Sequence, residues 1–67
     1  MSDYAQKILQ VYKELGVKIG EMLLIQVFYA RIGPQYANEI NDALEELVVG
    51  GYLEQKETSG YFLIKIE

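Results

Sequence analysis

The chain of 67 residues contains no cysteine and no histidine. The first absence excludes disulfides and thiol nucleophiles, the second removes the usual general base at neutral pH, and together they exclude a structural zinc site. Ser2, Thr58 and Ser59 fall in a terminus and a turn, with no partner to activate a hydroxyl. The glycine pairs 16/20 and 50/51 lack the GxGxxG or Lys-Ser/Thr pattern that cradles phosphate. Asp42, Glu45 and Glu46 lack the spacing of a calcium loop. The expectation is a non-enzyme with no metal, no cofactor and no small-molecule substrate. A chain without cysteine also fits a reducing compartment, so the expected location is cytoplasmic.

Long apolar runs are missing as well. The longest, residues 22–25 and 27–30, is interrupted by Gln26 and falls short of the roughly 18–20 residues a membrane span requires. The opening MSDYAQK lacks the basic-then-apolar order of a signal peptide. No membrane association is expected. Bases are scarce: six against ten acids leave a net charge of −4, which repels phosphate at long range. The shortage is local too, because no Lys or Arg occurs between Gln35 and Gln55.

A chain of this size forms one domain, here residues 1–67, and buries only about 60% of its unfolded surface. Below roughly 70–80 residues a core rarely supplies more than ~3–5 kcal/mol. With disulfides and zinc excluded, regular packing or a second subunit must help, and a homodimer is the expectation.

The residues present divide into periodic segments. Tyr4, Ala5, Ile8, Leu9, Val11, Tyr12 and Leu15 form one apolar stripe at helical spacing, predicting a helix over residues 4–15 with Asp3 as its cap, Gln6 as box partner and Gly16 at its end. Residues 17–19, between two glycines, read as a short strand. Residues 21–32 read as a second helix with no polar face, since Glu21, Gln26 and Arg31 lie about 140° apart on the wheel. A strand over residues 23–32 competes, because Ile25, Val27, Phe28 and Tyr29 favour sheets, although the run is long and does not alternate. As a helix it cannot be covered all round, and Leu23 and Val27 are candidates for exposed apolar contact with a protein partner.

Gly33-Pro34 breaks the chain and Pro34 starts a third helix. Ala37, Ile40, Leu44, Leu47 and Val48 line its inner face, with Tyr36 and Ala43 on the flank. Gln35, Asn38, Glu39, Asp42, Glu45, Glu46 and Val49 lie opposite, and Gly50-Gly51 end the helix. Residues 52–56 and 61–66 alternate and flank a turn at residues 57–60, predicting a hairpin whose buried face carries Leu53, Phe62, Ile64 and Ile66.

The stretch Ala43-Leu44-Glu45-Glu46-Leu47, then Gly51-Tyr52-Leu53-Glu54 and Gly60-Tyr61-Phe62-Leu63, resembles the end of the recognition helix, the glycine turn and the wing of bacterial winged helix-turn-helix proteins of the small-regulator type. The likeness extends over residues 4–66. It implies an α+β winged-helix fold of three helices, a short strand and a C-terminal β-hairpin wing. It further implies that the third helix enters the major groove of DNA while the wing touches phosphate. Carried over by position, Gln35, Tyr36 and Asn38 stand at the reading end of the helix and Lys56 near the wing tip, with Arg31 a further cation beside that surface. Gln35 and Asn38 suit adenine, and Glu39 or Asp42 could accept from cytosine.

Charge points elsewhere. Phosphate contacts from Lys and Arg supply most DNA affinity, and Glu39, Asp42, Glu45 and Glu46 would meet the phosphates with like charge. Two expectations therefore stand side by side. One is a small DNA-binding regulator. The other is a protein-binding module that uses Glu39, Asp42, Glu46 and Val49 of the third helix with Leu23 and Val27 of the second. A two-fold homodimer suits both.

Overall fold

The computed structural model describes residues 1–56 and 59–66. In chain order the elements are α1 (Asp3–Glu14), β1 (Met22–Leu24), α2 (Ile25–Ile32), a 3-10 turn (Pro34–Tyr36), α3 (Ala37–Val49), β2 (Leu53–Gln55) and β3 (Gly60–Leu63). The three strands form one antiparallel sheet in the order β1-β3-β2. Three helices against such a sheet make an α+β fold with a winged-helix-like layout.

The core is a seam between α1 and α3 closed by the sheet. Ala5, Ile8, Leu9, Val11 and Tyr12 recur on α1 at helical spacing and meet Ile40, Ala43, Leu44 and Leu47 of α3, all buried. Phe28 is the one fully buried residue of α2 and sits between Tyr12 and Tyr61, with ring centroids 5.6 and 6.5 Å apart. Each fully buried side chain of this size contributes about 1.5–3 kcal/mol. The Tyr12 hydroxyl donates to the Tyr61 carbonyl at 2.7 Å, tying α1 to the central strand inside the core.

Beyond the start of α3, which falls at Ala37 after the 3-10 turn and not at Pro34, three expectations are corrected. The α1 cap is Ser2, whose Oγ accepts from the Ala5 amide at 3.1 Å; Asp3 is already the first helical residue. The first strand is Met22–Leu24, not residues 17–19, and α2 begins only at Ile25. Residues 17–20 instead form the turn before β1, with the Lys18 amide donating to the Glu21 carboxylate at 2.8 Å. Long-range pairing overrides local pattern here. The Gly20 amide donates to the Leu63 carbonyl at 2.8 Å, the Leu63 amide to the Glu21 carbonyl at 2.9 Å and the Ile25 amide to the Ser59 carbonyl at 2.7 Å.

The third correction is the buried face of the hairpin. Leu53, Tyr61 and Leu63 point inward, while Phe62 lies in the outer row Met22–Phe62–Glu54 and Ile64 is exposed. Both faces of residues 61–66 are apolar enough to be inner, and a shift of one residue exchanges them. The regular strand also stops at Leu63, because the Ile64 and Lys65 amides both donate to the Tyr52 carbonyl. Residues 57 and 58 of the expected hairpin turn lie outside the described residues.

Candidate binding surface on the third helix

Burying Ile40, Ala43, Leu44 and Leu47 fixes the rotation of α3 and turns Asn38, Asp42, Glu45 and Val49 outward as one stripe. The stripe is framed on both sides. On one flank, Asn41 Oδ1 accepts from the Tyr29 hydroxyl at 2.7 Å, binding α3 to α2. On the other, Glu46 Oε2 accepts from the Ser2 amide at 3.0 Å, binding α3 to the start of α1. That backbone hydrogen bond, with help from the Ser2 side chain, holds the Glu46 carboxyl below its ordinary range. Glu46 is thus a structural tether as well as a surface acid.

Before α3, Gln35 is exposed and Tyr36 leans on Tyr4, their ring centroids 5.7 Å apart. Lys7 Nζ also lies over the Tyr4 ring, 4.8 Å from its centroid. Partial burial, then the charge of Glu39, pushes the Tyr4 phenol up. Gly33 adopts φ +134°, and a Cβ there would come within 2.9 Å of Gln35 Oε1 and 3.1 Å of the Tyr36 ring. The glycine therefore sets the approach of Gln35 and Tyr36 to α3.

Among the described residues no ion pair joins a Lys or Arg to the stripe. Arg31 Nη1 is 3.9 Å from Glu14 Oε1. At the wing, Lys56 Nζ is 3.5 Å from Glu54 Oε1 and 5.4 Å from the Phe62 ring centroid. Lys65 lies over Tyr52 at 4.7 Å. Among the expected nucleic-acid contacts, Gln35, Tyr36 and Asn38 are exposed around the start of the helix, whereas Arg31 and Lys56 each lie beside a carboxylate in a solvent-exposed pair. Among the expected protein contacts, Glu39, Asp42, Glu46 and Val49 are all exposed on α3, and Val49 is 82% exposed. Leu23 of β1 and Val27 of α2, expected as exposed apolar contacts, are each half-buried and pack against the core.

Residue-level reading of the sequence missed two tethers, Ser2–Glu46 and Tyr29–Asn41, which join residues 44 and 12 positions apart and have no local signal. Among the described residues no group of three or more acids, cysteines or histidines could hold a metal ion, and no helix is long and apolar enough to cross a membrane. No protein-family model, curated protein or solved structure matches this chain.

Proposed function

We propose that this chain is a non-catalytic binding module of the winged-helix class whose third helix meets a protein surface, not a nucleic acid, in the cytoplasm. The observation that carries the reading is the outward stripe Asn38, Asp42, Glu45 and Val49, which presents two carboxylates and an exposed valine with no cation among them. A helix in the major groove lies between two phosphate rails, where each carboxylate is repelled and each missing Lys or Arg forfeits counterion release. Against a basic protein surface the same charges attract, and Val49 supplies apolar area.

One feature favours a small DNA-binding regulator as second reading. Gln35 and Asn38 stand exposed where a helix of this class reads bases, and both side chains can bond adenine bidentately. Arg31, Tyr36 and Lys56 would then have to serve the phosphates.

Titration of random duplex DNA at low salt separates the two. The protein-binding reading expects no measurable association. Affinity whose logarithm falls linearly with the logarithm of salt would move the assignment to DNA. In that case Lys56→Ala weakens all sequences alike, while Asn38→Ala relaxes preference at one position.

A further inference from the structure

An apolar groove of about 410 Å³ opens between the end of α1, the turn before β1 and the end of β3, lined by Lys13, Val17, Lys18, Ile19, Leu63 and Ile66. Its floor is apolar, and Ile19 on its rim is 61% exposed. Its two charged members are distinctive. Lys7, Arg31, Lys56 and Lys65 each have an aromatic ring or a carboxylate as partner. Among the described lysines and arginines, Lys13 and Lys18 are those whose side-chain charge has neither, and they share this groove.

The opposite pattern lies on α3. Asp42, Glu45, Glu46 and Val49 gather on one exposed face, and no ion pair holds Asp42 or Glu45 among the described residues. Val49 stands clear because Gly50 and Gly51 follow it without side chains. Asp42 to Val49 spans about 10 Å of helix at 1.5 Å per residue. One surface therefore offers an apolar knob with two free carboxylates, the other an apolar hollow with two free ammonium groups.

We propose that the groove takes the outward stripe of α3 from a second copy of this chain, Val49 seating against Ile19 and Ile66 while Asp42 and Glu45 face Lys13 and Lys18. This rests on the reading that α3 docks on protein and names the partner as self. The two patches differ, so the contact is head-to-tail: each copy keeps one free groove and one free stripe, and association continues as a ring or an open chain. Opposite charges across the contact make it weaken as salt rises.

The test uses two variants changed only at exposed positions. Lys18→Gln/Ile19→Asn spoils the groove and leaves the stripe, whereas Asp42→Asn/Val49→Asn spoils the stripe and leaves the groove. Solution mass is measured from micromolar to millimolar concentration, with circular dichroism to establish that each variant is folded. The expected result is a wild-type mass that grows with concentration, loss of that growth in each variant alone, and one-to-one pairs when the two are mixed. A wild type that stays monomeric overturns the proposal, and so do variants that still associate or a mixture that stays monomeric. None of those outcomes touches the broader reading, which is judged separately by the duplex titration.

Discussion

Tyr12 places a phenol at the centre of the core and gives its proton to a strand carbonyl, so removing the oxygen leaves the Tyr61 carbonyl without that buried donor. Tyr12→Phe is expected to cost about 1–3 kcal/mol, read as a lower urea midpoint at unchanged slope. The burial of the same phenol sets an alkaline limit. Burial, and then the neighbouring Tyr61, raises the Tyr12 phenol well above its ordinary value near 10. In the unfolded chain the phenol ionises near pH 10, while in the fold it keeps its proton. Above that pH the folded state binds more protons, and stability falls as pH rises. Denaturation midpoints should therefore hold steady below pH ~9 and decline above ~10, with a shallower decline in Tyr12→Phe. An equally steep decline in the variant would place the alkaline sensitivity elsewhere.

Elements are held together by residues at their ends. Ser2 caps α1 with its hydroxyl and bonds Glu46 of α3 with its amide, so one residue fixes both the start of α1 and the flank of the presented helix. Ser2→Ala is expected to lower stability by about 0.5–2 kcal/mol, and Asp3→Ala by less, because Asp3 is not the cap. Thermal denaturation of the pair decides this, and equal losses would return the cap to Asp3. At the turn before α3, Gly33→Ala forces a Cβ into the Gln35 side chain and Tyr36 ring at a positive φ. The expected loss exceeds ~1 kcal/mol, and an unchanged melting temperature would refute the constraint.

The same distinction between local and distant causes explains what the sequence makes legible. The α1 and α3 stripes and the stops at Gly16 and Gly50-Gly51 depend on spacing within each helix, and the structure has them where the spacing indicates. The division of residues 21–32 into a strand and a short helix depends on Leu63 and Ser59, which lie far along the chain. The inner face of β3 was illegible because Tyr61, Phe62, Leu63 and Ile64 offer apolar side chains to both sides. On the candidate surface, the exposed acids of α3 follow from its periodicity. The partners of Lys56, Arg31 and Glu46, and the gathering of Lys13, Lys18 and Ile19 into one groove, follow only from tertiary packing.

For the whole molecule, the decisive property is where the charge sits and what it is free to meet. A net charge of −4 does not by itself forbid DNA, since a local basic patch could outweigh it. Here Asp42 and Glu45 occupy the middle of the stripe that the fold presents, and Arg31, Lys56 and Lys65 each have a carboxylate or a ring as partner. Reversing those two exposed charges changes the field of the stripe without touching the core. The most direct measurement is low-salt titration of random duplex with the wild type and with Asp42→Lys/Glu45→Lys. The account predicts no association for the wild type and salt-sensitive association for the variant; salt-sensitive binding by the wild type itself would contradict it.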